Sequence, residues 1–272
     1  MSLTLLTLLL TGCLHRAPQP VGPLPPRAAN AIELWGVALA DPLPGPRRAD
    51  VRVQLANGLS ARGLLAVAPP DRLRLDVFGP IGGPVLVVVS DGTALRSWQA
   101  DGNRWTEIPD ADHEIGRLMA GVPEAAGTSS VAAVAPSSVG SAEGLETLVR
   151  LLLGYAPRVA PTSGKPDGTI VWAGPRGSEM RARLDPGTAR LAHVTAGPAA
   201  GAAPWLVIEN TPGALPEALP ARVVVTLPGR GPTTLTVGSW APFTPEDSMF
   251  AVRPPPGTAV QTVRLEALEH AP

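Results

Sequence analysis

Short segments in which apolar and polar residues alternate recur along most of this chain. The clearest are Val51–Leu55, Leu73–Val77, Met180–Leu184 and Leu235–Val237, with turn-forming Gly, Pro, Asn and Asp residues between segments. Successive side chains of a β-strand point to opposite faces, so this alternation predicts strands with one buried and one wet side. Val85–Val89 is apolar throughout, which predicts a strand covered on both faces. The sequence therefore predicts a mainly β domain: a curved antiparallel sheet, an incomplete or half β-barrel, of about 10 to 11 strands.

Only three segments favour helices. They are Ala28–Ala40, Asp110–Ala120, which begins with acidic residues suited to a helix N-terminus, and Ser141–Tyr155, whose leucines have helical spacing. Residues 121–140 are rich in Ala, Ser and Gly, which predicts a flexible loop. Because a half-barrel leaves its apolar inner face uncovered, we expect these few helices to cover the open side.

The N-terminus has the pattern of a bacterial lipoprotein precursor. Met1–Leu10 is apolar but too short for a bilayer span, which needs roughly 20 residues. It leads into Leu-Thr-Gly-Cys, similar to the lipobox whose cysteine receives diacylglycerol, although no basic residue precedes the apolar run. We therefore expect residues 1–12 to be a signal peptide, Cys13 to be lipidated, 13–30 to be an anchor and Pro-rich tether, and 31–268 to be the folded domain.

Composition and motifs argue against several classes of function. The formal net charge is −1, which does not suit the neutralisation of nucleic-acid phosphates. The sequence has no nucleophile elbow, zinc-protease motif or phosphate-binding loop, so we expect neither an enzyme nor a cofactor. Asp110–Glu114 is the only cluster of metal-ligand side chains, and helix capping explains its acids without a metal.

Four segments resemble the LolA/LolB-like family of outer-membrane lipoprotein carriers and receptors. These are Trp35–Leu39, similar to the family's opening strand; Arg72–Gly83, a strand running into a Pro-Ile-Gly turn; Leu145–Gly154, a helix ending in Gly; and Asp247–Val260, with a closing Phe and Pro-Pro-Pro-Gly. The resemblance implies a half-barrel with helices over its mouth and no catalysis. It also implies an apolar cavity for the acyl chains of lipoproteins or another lipid.

The resemblance also implies a place and partners for the chain. We expect a lipid-anchored monomer on the periplasmic face of the outer membrane, since Leu14, not Asp, follows the lipidated cysteine. Its expected partners are the membrane, acylated lipoproteins and a soluble LolA-type carrier, without nucleic acid. Ile81 matches the protruding Leu of the family's Pro-Leu-Gly turn, which predicts a membrane-insertion tip. An ordinary turn with Ile81 folded back onto the sheet is the alternative.

Ten apolar residues are the candidates for the cavity wall. They are Val53, Leu75, Val77, Phe78, Val87, Trp98, Leu148, Leu152, Trp205 and Phe250. Apolar faces of this kind either line a hollow cavity or fill a closed core, and the same two possibilities hold for the six tryptophans. A hollow cavity favours lipid transfer. A filled one favours a structural, assembly or envelope-stress-sensing lipoprotein of the same fold.

Overall fold

A computed structural model describes residues 31–55, 58–113, 115, 144–165, 167–173, 178–198, 204, 206–213, 219–227 and 231–263. Within these residues the protein is mainly β, with a few short helices, as the sequence predicted. The helices are α1 (Ala31–Ala40), α2 (Gly144–Leu152) and α3 (Asp247–Phe250).

The strands are β1 (Arg47–Gln54), β2 (Ser60–Ala68), β3 (Arg72–Phe78), β4 (Pro84–Asp91), β5 (Leu95–Gln99), β6 (Arg104–Ile108), β7 (Ser163–Gly164), β8 (Thr169–Ala173), β9 (Ser178–Leu184), β10 (Leu191–Pro198), β11 (Leu206–Pro212), β12 (Pro220–Leu227), β13 (Gly231–Pro242) and β14 (Ala259–Thr262).

All described strands belong to one open sheet. Its order is β14-β6-β5-β4-β3-β2-β1-β13-β12-β11-β10-β9-β8-β7, with β14 and β7 at the two edges. The sheet has 14 strands, more than the predicted 10 to 11. Two of the additional strands are the short edge strands β7 and β14, which carry no alternation that the sequence could reveal. Every pair is antiparallel except β14 with β6, which is parallel.

Alternation along β3 separates the two faces of the sheet. Leu73, Leu75 and Val77 belong to the main hydrophobic core or pack against it, on the side we call the inner face. Arg74 and Asp76, between them in sequence, point to the opposite side, the outer face. In β4, Val88 packs against the inner core and Val89 is buried in a second cluster, so the later part of this strand is covered on both faces as predicted. Val85, at the start of the predicted segment, is exposed.

Two helices cover the inner face. Trp35 of α1 is 1% exposed, contacts Trp172 with 5.7 Å between ring centroids, and donates its indole N–H to the Val159 carbonyl at 3.3 Å. From α2, Val149 and Leu151 enter the same core. The expectation that Trp35–Leu39 forms an opening strand is wrong, because these residues lie within α1. Helical spacing there brings Ala31, Leu34, Trp35 and Ala38 to one buried side.

The C-terminal part of the chain covers the outer face of β2 to β4. Phe250 of α3 is buried against Ala68 and Val89, with the Arg72 guanidinium 5.1 Å from its ring centre. Arg72 also forms an ion pair with Asp247 at 2.8 Å, and Arg74 donates to the Met249 carbonyl at 2.8 Å. The chain then reaches the start of β6, where β14 runs alongside it.

Candidate functional site

The turn between β3 and β4 presents Ile81 to solvent. The Gly79 amide donates to the Gly83 carbonyl at 2.8 Å and the Gly82 amide donates to the Gly79 carbonyl at 3.0 Å, which closes the turn. Gly82 has φ +91°, a conformation that favours glycine, and a Cβ on Gly79 would lie 2.8 Å from Val85. Ile81 is 98% exposed. It therefore points away from the sheet and does not fold back onto it.

Five of the cavity candidates lie on the side of the inner face. Val53 and Val77 are buried in the main core, and Leu75, Leu148 and Leu152 are half-buried against it. Side chains from α1 and α2 occupy the space above these strands, so the described inner face is packed. Leu148 and Leu152 lie at the border of this core, on the less buried side of α2.

Four other candidates belong to the outer face. Phe78 directly follows Val77 in β3, so the two side chains point to opposite sides of the sheet. Val87 pairs with Trp98, whose indole N–H donates to the Asn103 side chain at 3.1 Å. Phe250, the last residue of α3, is buried on this same face. The candidates are thus divided between the two faces, and Phe78, Val87, Trp98 and Phe250 do not border the space that the helices cover.

A buried ion pair lies within α2 and connects the helix to the segment that follows it. Arg150 is 1% exposed; its guanidinium donates to Glu146 at 2.7 Å and to the Ala156 carbonyl at 3.0 Å. Arg158 approaches the same carboxylate at 3.2 Å. Asn210 of β11 donates to the Leu151 carbonyl at 3.2 Å, which ties the C-terminal end of the helix to the sheet. The sequence analysis did not predict this network. Its signal in the sequence is that Glu146 and Arg150 have opposite charge and are four residues apart in an apolar helix.

The N-terminal end of α2 is capped from a distance. The Asp112 carboxylate accepts the Leu145 amide at 2.9 Å, and Gly154, with φ +73°, follows the helix as predicted. One of the acids that could have been a metal ligand therefore serves as a cap. No group of side chains suited to hold a metal ion occurs among the described residues.

The turn between β4 and β5 holds a network of hydrogen bonds and ion pairs around Asp91. Asp91 accepts the Thr93 and Ala94 amides, each at 3.0 Å, and forms an ion pair with Arg96, which also binds Glu107 at 2.8 Å. Burial alone would raise the pKa of Asp91. These hydrogen bonds outweigh burial and hold that pKa well below its usual range.

A cleft of about 460 Å³ lies at the end of the sheet opposite Ile81. Its lining includes Arg47, Leu219, Val237 and Trp240, and the Trp240 indole N–H donates to the Pro220 carbonyl at 3.0 Å. None of the cavity candidates that the structure describes borders this cleft. Its walls include polar as well as apolar residues, whereas the resemblance implies an apolar cavity.

Several predictions fall on residues outside the described ranges. They are the signal peptide at 1–12, the lipidated Cys13, the tether at 13–30, most of the helix Asp110–Ala120, the loop at 121–140 and the cavity candidate Trp205. Among the residues that the structure does describe, no helix has the length and apolar character needed to cross a membrane.

No family model matches this chain, and no curated protein matches it. Solved structures similar to it include a LolA superfamily protein from Nitrosomonas europaea, at 10% identity and TM-score 0.45, covering 83% of this chain and 99% of that one. A domain from Vibrio parahaemolyticus, described as a candidate outer membrane lipoprotein-sorting protein, is 14% identical with TM-score 0.48, covering 82% and 97%. An uncharacterized conserved protein from Thermus thermophilus is 11% identical with TM-score 0.34, covering 86% and 97%.

Two of these three descriptions concern the family that the sequence resembles. At such identities and TM-scores, no residue role passes from these proteins to this chain.

Proposed function

We propose that this chain is a lipid-anchored protein on the periplasmic face of the outer membrane that binds acylated lipoproteins and delivers them to the bilayer. In this proposal Cys13 holds the anchor, Ile81 is the tip that enters the membrane, and a soluble LolA-type carrier supplies the lipoprotein. Acyl chains gain free energy on leaving water for any apolar site, so binding and release need no chemical reaction.

The exposure of Ile81 carries the proposal. An aliphatic side chain that is 98% exposed contributes nothing to the core, and two backbone hydrogen bonds close the turn that presents it. Pro80, Gly82 and Gly83 around it bring no charge that would oppose entry into a bilayer. Such a tip suits contact with the acyl region just beneath the headgroups.

The proposed acyl site lies between α2 and the inner face. Leu148 and Leu152 are only half-buried at its border, so an entering chain would contact them first. Because the described inner face is packed, binding requires α2 to move away from the sheet. The buried Arg150–Glu146 pair would move with the helix, since both residues belong to α2.

The test uses the processed form of the chain, beginning at position 13 and carrying Cys13→Ser so that no lipid is attached. Native mass spectrometry with a tripalmitoylated lipopeptide should show a one-to-one complex. Transfer of that lipopeptide to vesicles should fall at least tenfold in Ile81→Glu. Val37→Glu, at a half-exposed aliphatic position on α1, is the matched control and should transfer normally.

The packed inner face favours one second candidate, a structural, assembly or envelope-stress-sensing lipoprotein that transfers nothing. A filled core needs no ligand for stability. If no lipopeptide complex forms at any concentration while the protein remains folded, transfer is excluded and this second function stands.

A further inference from the structure

A second turn lies beside the Ile81 turn at the same end of the sheet. In the β1–β2 connection, the Leu55 amide donates to the Leu59 carbonyl at 2.8 Å, and the two side chains are 45% and 64% exposed. Arg62 pairs with Phe78 across β2 and β3, so continuing this register brings Leu59 level with Ile81. Two strand spacings separate the turns, about 10 Å.

We call Leu55, Leu59, Ile81 and Val85 the turn edge. Together with Ile32, Val37 and Val260, these four are the large hydrophobic residues exposed in the described part of the chain. Four exposed aliphatic side chains on neighbouring turns form an apolar patch, and such patches mark contact with a partner or a membrane.

A row of arginines lies behind the turn edge on the outer face. Arg52 and Arg62 are directly opposite each other on β1 and β2, and Arg52 and Arg222 both pair with Thr236 of β13. All three arginines are exposed. Directly opposite side chains in an antiparallel pair are only about 5 Å apart at Cβ, so the Arg52–Arg62 pair is repulsive.

None of the three arginines has an ion pair within the part of the chain that the structure describes. Two described carboxylates on this face, Asp50 of β1 and Asp76 of β3, are each diagonal to Arg62. Asp76 is ion-paired with Arg74, and Glu209 of β11 is diagonal to Arg222. The C-terminal segment shields β2 to β4 on this face, but Arg52 and Arg62 remain exposed. A like-charged pair that no described carboxylate joins in an ion pair is well suited to bind an external anion.

We propose that Arg52, Arg62 and Arg222 bind the phosphate headgroups of anionic phospholipids while the turn edge enters the same bilayer. This inference deepens the proposed function, on which it rests, by naming the lipid class that the protein contacts. Guanidinium groups bind phosphate through two parallel hydrogen bonds, which a closely spaced pair can extend to neighbouring headgroups.

Geometry favours a bilayer over an acidic protein. Read backwards along β2 from Arg62, the chain passes Ser60 and reaches Leu59 at the turn, and three residues of strand span about 10 Å. Apolar groups of interfacial proteins enter roughly 5 to 10 Å below the headgroups. When the turn edge is inserted to that depth, the arginine row lies at the level of the phosphates.

The test measures vesicle binding by the processed Cys13→Ser form, with and without Arg52→Gln and Arg62→Gln together. Vesicles of phosphatidylcholine with about a third of phosphatidylglycerol are the probe, against phosphatidylcholine alone. Each basic side chain at an anionic surface is worth about fivefold in binding, so the double variant should bind the anionic vesicles about 25-fold more weakly. Binding to neutral vesicles should not change.

The matched control is Arg48→Gln with Arg183→Gln. Both residues are exposed on the outer face at the end of the sheet away from the turn edge, and the net charge changes equally. The control variant should bind the anionic vesicles less than threefold more weakly than the unsubstituted protein. Equal losses in the two double variants would mean that only overall charge matters, and the arginine row would then not be a site.

Other outcomes separate this inference from the proposed function. If lipopeptide transfer depends on Ile81 but vesicle binding does not depend on the arginines, the proposed headgroup site is contradicted and the proposed function stands. If vesicle binding depends on the arginines but no lipopeptide is bound, the membrane contact stands and transfer fails. If the double variant keeps its vesicle binding but disrupts a dimer seen by sedimentation, the surface joins copies of this chain and the headgroup site is wrong.

Discussion

The inner face and the turn edge are both apolar, but their side chains differ in exposure to water. On the inner face, Trp35, Val149 and Leu153 are almost completely removed from water between the helices and the sheet. On the turn edge, Ile81 is 98% exposed. Burial on the inner face favours folding, whereas the Ile81 side chain gains nothing from burial.

The contrast shows how to separate stability from function in this molecule. Burying a large apolar side chain contributes roughly 1.5 to 3 kcal/mol to folding, and leaving it in water contributes nothing. Substitutions on the inner face should therefore change the free energy of unfolding, whereas substitutions on the turn edge should change membrane contact alone.

The largest effect is expected from Trp35→Ala. The substitution removes the indole between α1 and the sheet and leaves a cavity beside Trp172, which should lower the free energy of unfolding by about 3 to 5 kcal/mol. Urea denaturation followed by circular dichroism measures it. Val37→Ala on the exposed side of the same helix is the control and should change stability by less than about 0.5 kcal/mol. Similar losses of stability in both variants would contradict the distinction between buried and exposed apolar positions.

Glu146→Ala should cost about 3 kcal/mol, because it leaves the buried Arg150 guanidinium without its carboxylate. Replacing both partners with apolar residues, Glu146→Leu with Arg150→Met, should restore most of the stability, since no charge then remains buried. Denaturation curves for the single and double variants measure both effects. A double variant less stable than the single one would show that α2 needs the charges themselves.

Asp91→Asn should cost about 1.5 to 3 kcal/mol at pH 7, the usual value of hydrogen bonds to a charged group. The folded pKa of Asp91 is lowered, so its contribution is complete above the unfolded pKa near 4 and is lost as pH falls through the folded value. The stability difference between wild type and variant should therefore shrink below about pH 4. Denaturation between about pH 2 and 7 measures it, with the exposed Asp101→Asn as the control. A difference independent of pH would contradict the charge-based explanation.

The smallest change in stability is expected from Ile81→Ser. The side chain has no core contact to lose, so unfolding should shift by less than about 0.5 kcal/mol. Retention on vesicles should nevertheless fall, and flotation assays on the same preparation measure it. A clear loss of stability would mean that Ile81 packs against the protein in solution, and the turn edge would then belong to the core.

Sequence reasoning worked best where local periodicity decides the structure. Alternation in Leu73–Val77 correctly predicted both a strand and its buried side, and leucine spacing followed by Gly154 predicted α2. Sequence reasoning was less successful at the edges of the sheet, because the two-residue strand β7 is too short to show an alternation of apolar and polar residues. Trp35–Leu39 was assigned to a strand by resemblance, but the amphipathic spacing from Ala31 to Ala38 makes it a helix.

The candidate site was only partly predictable. Turn composition and the family resemblance together singled out Ile81, but the sequence left open whether its side chain projects or folds back onto the sheet. The 98% exposure of Ile81 answers that question. The cavity candidates were chosen for being apolar, without regard to the face on which they lie. Val77 and Phe78 are adjacent in sequence, and the pleat of the strand alone places them on opposite sides.

By itself, the sequence determined the class of fold and the Ile81 turn, because each depends on a few neighbouring residues. The lipoprotein N-terminus stays a prediction from the sequence. Only the tertiary structure decided which strands are neighbours, that α1 and α2 pack the inner face, and that Arg52 lies opposite Arg62. It also brought Leu59 level with Ile81. These outcomes depend on the register between strands. The same apolar pattern is compatible with several registers, and only the packing of the whole sheet with its helices selects one of them.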